Sequence, residues 1–228
     1  MPRFLCIGHR GARGHEPENT ARSVCRALEL GAGGIEVDVY FVDGELVVIH
    51  DDTLDRTTNG VGRVAEKSFA ELRALDAGKG EKIPTLREIF DAVDRRAFIN
   101  IELKGPDTAA PVERLIREYV GTRGWRHADF LVSSFDHEEL ARIANRRIRL
   151  GILYARAPHG FADLAARLRA WSLHTNARYT HRPVVEEAHR LGLKVFVYTV
   201  NSPRTLARMH AIGADGVFTD FPERCARS

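Results

Sequence analysis

Three carboxylates and two histidines are the residues in this chain whose types and spacing can do chemistry. Glu36 and Asp38 alternate with Ile35, Val37 and Val39 in the run from Gly34 to Phe41, and Glu102 alternates with Ile99, Ile101 and Leu103. Side chains on a strand point to opposite faces with period two, so in each run the apolar residues share one face and the acids the other. Asn100 and Lys104 fall on the acid face beside Glu102. Ionised carboxylates withdrawn from water cost several kcal/mol each unless a cation or hydrogen bonds compensate. For one such acid, an ion-paired or solvent-facing residue is the plain reading. Three at matched positions call for a shared divalent cation. An all-oxygen donor set suits a hard ion such as Mg²⁺, Ca²⁺ or Mn²⁺ and does not suit zinc or copper.

His9 lies in Gly8-His9-Arg10-Gly11, and His50 in Val48-Ile49-His50-Asp51. Two imidazoles beside a cation site supply a general acid and a general base near neutral pH. Most of the ten histidines read as packing or surface, His15 among them. Ser133-Ser134 offers hydroxyls without an acid–base partner at a legible spacing, so loop structure is the reading there.

These residues must be brought together by the elements that carry them. Short apolar runs alternate with longer segments of helical period. The pattern predicts strands over 3–8, 35–41, 97–103, 130–133, 148–153, 171–174, 194–198 and 216–218. It predicts helices over 19–30, 86–93, 108–120, 136–145, 161–168, 183–191 and 202–211, and a short one near Phe221. Such alternation implies parallel pairing with right-handed crossovers. Eight units imply an α/β fold of the (β/α)₈ TIM-barrel kind. A doubly wound open sheet fits less well, since no G-x-G-x-x-G follows the first strand. The outward face of a barrel strand must be apolar to meet the helices, which sends Glu36, Asp38 and Glu102 inward. His9 and Arg10 fall at the C-terminal end of the first strand, on the face where barrel active sites are built.

One strand is left over. Residues 45–50 follow Asp43-Gly44, a hairpin signal, too soon for a crossover helix, so this strand must fold back antiparallel. A two-residue turn at Asp43-Gly44 sets His50 opposite Val37, facing away from the acids. A three-residue loop with Gly44 left-handed pairs Phe41 with Glu45 and sets His50 opposite Glu36. The second register is the expected one. Residues 1–228 thus read as a single TIM-barrel domain. Residues 43–84, a hairpin strand plus a small turn-rich subdomain, read as an insertion between strand 2 and helix 2.

Lys and Arg number 34 against 31 Asp and Glu, a net charge of +3 without a basic run, which argues against a nucleic-acid partner. Cys6, Cys25 and Cys225 are far apart with no C-x-x-C spacing, so idle thiols in a reducing compartment are expected, with neither a disulfide nor a zinc site. No stretch approaches the ~18 apolar residues of a membrane span, and no signal peptide is legible. The cytoplasm is the expected location.

His9-Arg10-Gly11 followed by Pro17-Glu18-Asn19-Thr20 resembles the glycerophosphodiester phosphodiesterase family, in particular its small cytosolic bacterial members. The resemblance runs on in order through Glu36-Val37-Asp38, Val48-Ile49-His50-Asp51, Arg56-Thr57-Thr58-Asn59-Gly60, Ile101-Glu102-Leu103-Lys104, Ser134-Phe135, Tyr198-Thr199-Val200-Asn201 and Thr219-Asp220. It implies a TIM-type barrel hydrolysing glycerophosphodiesters to sn-glycerol 3-phosphate and an alcohol. It implies Glu36, Asp38 and Glu102 as ligands of a divalent metal, and His9 and His50 as the acid–base pair. Arg10 and Lys104 would hold the phosphate, and Phe135 and Tyr198 would line the substrate site. Most members carry Trp where Tyr198 stands, a departure that bears on the wall of the glycerol pocket. His174 and Asn176 fit a pocket lining and a packing role equally well. The rival readings are a lyase on the same barrel that stops at a cyclic phosphate, and a non-catalytic module that binds glycerophosphodiesters.

Overall fold

The computed structural model describes residues 4–227. Nine strands form one sheet: β1 (Leu5–Gly8), β2 (Gly34–Val42), β3 (Glu45–Val48), β4 (Phe98–Leu103), β5 (Phe130–Ser134), β6 (Arg149–Tyr154), β7 (Ser172–Asn176), β8 (Lys194–Tyr198) and β9 (Gly216–Thr219). Arg3, with which the first expected strand begins, lies outside the described residues. Eight of the strands pair in parallel in the order β1-β9-β8-β7-β6-β5-β4-β2, and β1 pairs with β2 to close the barrel. The helices are α1 (Ala21–Glu29), α2 (Phe69–Ala74), α3 (Leu86–Val93), α4 (Ala109–Thr122), α5 (His137–Ala141), α6 (Phe161–Leu168), α7 (Arg182–Arg190) and α8 (Pro203–Ala211), and a 3₁₀ turn, Pro222–Arg227, follows β9. Among the described residues no helix is long and apolar enough to cross a membrane.

The alternation read from the sequence governs the packing. Ile35, Val37, Val39, Ile99 and Ile101 are fully buried between the strands and the helices. Each such side chain is worth about 1.5–3 kcal/mol on burial. A slip of one residue would put these into the mouth and the acids into the core, so the outer face fixes the inner one. Ile7, Leu131, Phe196 and Phe218 form a separate small apolar cluster, and Phe218 lines the same cavity as Glu36 and Glu102.

Helix termini follow local chemistry. Thr85 and Glu88 cap α3 reciprocally. The expected helix over 136–145 shortens to α5. Asp136 caps its start, accepting the N–H groups of Glu138 and Glu139, whereas the Ala144 N–H donates to Glu113 Oε2 on α4 at 2.7 Å instead of continuing the helix.

The hairpin register differs from the expected one. Val42 pairs with Glu45 and Tyr40 with Val47, so Asp43-Gly44 is a two-residue turn, with φ of 52° and 83°. Positive φ at both central positions is what a type I′ hairpin turn requires, and its twist matches the strands. The ladder stops early, however. β3 ends at Val48, the Ile49 N–H still donates to the Asp38 carbonyl at 3.1 Å, and the chain then bends at His50. His50 therefore escapes strand alternation and reaches the acid side by a different route from the one foreseen. The 43–84 segment carries β3, α2 and its own apolar cluster, with Val47, Ile49, Leu54, Val64, Leu72 and Ile83 packed under Tyr40.

The cysteine reading is also corrected. Cys6 and Cys225 form a disulfide with Cα atoms 6.0 Å apart across a separation of 219 residues, and Cys25 is free. Barrel closure sets β9 beside β1, and the turn after β9 comes back under Cys6. Sequence spacing carries no trace of that contact.

Candidate active site

Strand pairing sets Glu36 against Asn100 and Asp38 against Glu102. One oxygen of each of Glu36, Asp38 and Glu102 lies within 4.8 Å of the others. Glu36 and Asp38 are 3% and 1% exposed, so little water reaches them. Burial, and then the neighbouring charges of Asp38 and Glu102, push the Glu36 carboxyl well above its ordinary range. Burial and the Asp38 charge raise Glu102 to about 7. Such a cluster takes up protons or a cation near neutral pH. Oxygen donors alone, at mutual distances a single ion can span, fit a hard divalent cation.

Other groups hold the acids in place. The Arg10 backbone N–H donates to Glu36 Oε2 at 2.8 Å, from a left-handed turn at Arg10 and Gly11 with φ of 53° and 79°. Asn19 Nδ2 donates to Asp38 Oδ2 at 2.9 Å. Asn19 and Thr20 both have side chains suited to cap α1; Thr20 does so, and Asn19 grips the acid. The Lys104 ammonium lies 3.0 Å from Glu102 Oε1, 3.8 Å from Asp38 Oδ1 and 3.4 Å from His50 Nε2. Burial opposes its charge, but Glu102 and Asp38 outweigh that and raise its pKa. The Arg10 guanidinium donates to Glu18 Oε1 at 2.6 Å and has its Nε 3.4 Å from Asp38 Oδ2.

His9 follows β1 and His50 follows β3, and both line the cavity above the acids. Each presents one nitrogen to an aspartate: His9 Nδ1 lies 2.7 Å from Asp220 Oδ1, and His50 Nδ1 lies 2.6 Å from Asp51 Oδ1. An aspartate that accepts Nδ1–H fixes the tautomer and leaves Nε2 to exchange protons. Burial lowers the pKa of both rings, against the partial support of these carboxylates. Asp220 is itself held by Asn201 Nδ2 at 2.7 Å. Asp51 is held by Arg56 Nε at 2.6 Å.

The cavity has a volume of about 480 Å³. Phe135, 41% exposed, meets Tyr198 edge-on at its wall, with ring centroids 6.0 Å apart. The Tyr198 hydroxyl donates to the Tyr154 carbonyl at 2.6 Å, which fixes the ring. His174 lines the cavity yet is wholly buried, its Nε2 2.8 Å from Ser172 Oγ, and burial lowers its pKa to about 3. Asn176 lines the cavity as well. Ser133 and Ser134, expected in a loop, instead end β5, buried; the Ser134 hydroxyl donates to the Leu103 carbonyl, and Ser133 accepts from Asn100.

All nine residues singled out from the sequence, namely His9, Arg10, Glu36, Asp38, His50, Glu102, Lys104, Phe135 and Tyr198, come together at this mouth. Sequence reasoning gave no place at the site to Glu18, Asn19, Asp51, Arg56 or Asp220, although all five fall in the motifs that carry the resemblance. Asp51 directly follows His50, and Asp220 directly follows β9, at the C-terminal end of a barrel strand, where barrel active sites are built.

Residues 9–224 match the model of the glycerophosphoryl diester phosphodiesterase family. A glycerophosphodiester phosphodiesterase of Caldanaerobacter subterraneus is 38% identical over 96% of this chain and 95% of its own length. Among solved structures, a phosphodiesterase of Oleispira antarctica, in complex with the product sn-glycerol-3-phosphate, superposes with a TM-score of 0.88 at 30% identity over 98% of this chain and 95% of its own. The glycerophosphodiester phosphodiesterase of Agrobacterium tumefaciens superposes with a TM-score of 0.85 at 32% identity over 99% and 100%. A closed parallel barrel with an acidic mouth and two histidines over it defines a TIM-barrel enzyme. The chain belongs to the glycerophosphoryl diester phosphodiesterase family and is an enzyme of that family.

Proposed function

We propose that this enzyme hydrolyses glycerophosphodiesters to sn-glycerol 3-phosphate and an alcohol by two-histidine acid–base chemistry at a divalent-metal site. The observation that carries the reading is the meeting of three carboxylates, two of them buried, and two aspartate-held histidines at one cavity. Glu36, Asp38 and Glu102 would hold the ion, Mg²⁺ or Ca²⁺ with Mn²⁺ as a third option. When bound it supplies Lewis-acid polarisation of a phosphate oxygen and a template for the glycerol hydroxyls.

The chain's own residues do the rest. Lys104 and Arg10 place positive charge where negative charge builds on the non-bridging oxygens at the transition state. One histidine takes the proton of the attacking oxygen at Nε2, and the other delivers a proton to the leaving alcohol oxygen from its own. With the glycerol 2-hydroxyl as nucleophile, a cyclic phosphate forms and water then opens it, the histidines exchanging roles. With water as nucleophile the ester opens in one step. Phe135 and Tyr198 supply an apolar wall for the glycerol carbons. We read 43–84 as an insertion within a single-domain barrel, there to deliver His50.

Turnover of glycerophosphocholine, followed by phosphorus NMR with and without a chelator, tests this. Release of sn-glycerol 3-phosphate that stops on chelation and resumes on adding Mg²⁺ or Ca²⁺ is the expected result. Full turnover by a chelated, folded sample would sink the metal role, and a cyclic phosphate as the final product would make the enzyme a lyase.

A further inference from the structure

We infer that Arg56, in the 43–84 segment, is a positioning residue that locks His50 and ties it to the loop after β1. This rests on the proposed acid–base role of His50. The need for a lock follows from the fold. β3 ends at Val48, so no ladder bonds hold His50, whose carbonyl accepts from the Tyr40 hydroxyl at 3.3 Å. Its ring meets Lys104 at Nε2 and, at shorter range, meets at Nδ1 the carboxylate of Asp51, the next residue in the chain and part of the same bend. A carboxylate in a bend cannot orient a ring unless something orients the carboxylate.

The Arg56 guanidinium does so. Its Nε and Nη2 donate to Asp51 Oδ2 and Oδ1 at 2.6 and 3.1 Å. Its Nη1 and Nη2 donate to Glu18 Oε2 and Oε1 at 2.9 and 2.8 Å. Glu18 also accepts from Arg10, whose backbone N–H holds Glu36. The planar fork thus engages two carboxylates, one from each side of the site, with two bonds to each. Lysine cannot reproduce that geometry.

The bland alternative is a surface ion pair. Arg56 is 46% exposed, and half-exposed pairs contribute about 0–1 kcal/mol to stability. Its carboxylate partners are more sheltered, at 24% for Asp51 and 11% for Glu18. The clamp accordingly acts on geometry more than on stability, and misplacing a catalytic group by about 1 Å can cost about 10²-fold in rate. Asp220, the partner of His9, accepts from Asn201 Nδ2 at 2.7 Å, from the loop after β8, and faces Arg13 Nε at 3.5 Å.

The test compares R56A, R56K, H50A and H50A/R56A as purified full-length enzymes, with kcat and KM on glycerophosphocholine and the melting temperature of each. R56A is expected to lower kcat about 10- to 10²-fold while KM moves less than about threefold. Millimolar guanidinium should restore part of the R56A rate and none of the H50A rate. R56K, which keeps the charge, should also lose kcat. Adding R56A to H50A should cost nothing further, because the clamp acts through the histidine. Wild-type kcat in R56K or R56A, with H50A inactive, overturns the clamp alone. A full additional loss in the double variant also overturns it. Wild-type kcat in H50A overturns the acid–base reading, and the clamp falls with it.

Discussion

His9 and His50 share one cavity but are held by different parts of the molecule. His9 sits one residue past β1; its backbone N–H donates to the Thr219 carbonyl at 2.9 Å, and its aspartate follows the neighbouring β9. Its side chain is 14% exposed. His50 leaves a hairpin strand outside the barrel ring, is 30% exposed, and depends on a carboxylate oriented by an exposed arginine. The barrel supplies one proton-transfer group as part of its closure. The other is brought over the mouth by a segment with a small core of its own. Rigid elements place groups more tightly than loops do, so the second arm is the one whose geometry must be secured by polar contacts.

The largest expected effect treats the arms as equals. His9→Ala and His50→Ala should each reduce kcat by at least about 10²-fold with the fold intact, as measured by steady-state turnover and circular dichroism. A loss at one only would leave a single histidine doing both transfers. Next, Glu36→Gln should weaken metal binding about tenfold or more, read by calorimetric titration with Mg²⁺ or Ca²⁺, since one of three anionic ligands is neutralised. Unchanged affinity would place the ion elsewhere.

Asp220→Asn and Asp51→Asn sharpen the contrast. Each should lower kcat by about tenfold through loss of tautomer control, with KM little altered. Because the His9 N–H is bonded to the Thr219 carbonyl of β9 and Asp220 accepts from Asn201, hydrogen exchange should show the amides at the end of β9 protected to nearly the global stability. Amides around Asp51 should exchange sooner by local opening. Equal protection at the two places would end the distinction drawn here.

The smallest effect concerns stability. Glu102 has a folded pKa raised to about 7 from an ordinary 4.5. Between those values the folded state holds a proton that the unfolded state has released. Metal-free protein should therefore lose stability as pH rises through that window, with no loss below it. Glu102→Gln should reduce the slope in urea denaturation, leaving the share of Glu36, whose carboxyl is also raised, and saturating divalent ion should flatten it. A slope unchanged in Glu102→Gln would assign it to other groups.

Much of the site was legible because strand alternation is local. Ile35, Val37 and Val39 had to face the helices, so Glu36 and Asp38 had to face the mouth, and Glu102 followed by the same rule. The eight repeats then implied a closed ring. The hairpin was harder. Its turn residues announced a reversal, yet the register came out as the two-residue form, and His50 reached the acids only because β3 stops at Val48 and the chain bends. Asn19 shows the same limit: its type suits a helix cap, and only the approach of Asp38 gives it a different partner.

The set of elements and the face on which each acid lies are written in the chain, because they depend on neighbours a few residues apart, and the order of its motifs points to the family. Which groups hold which follows from the closed fold. Asp220 meets His9 across 211 positions, Arg56 meets Glu18 across 38, and Cys6 meets Cys225 across 219. Closing a ring of strands brings distant positions into contact at distances set by the whole barrel, and no local period encodes those pairings.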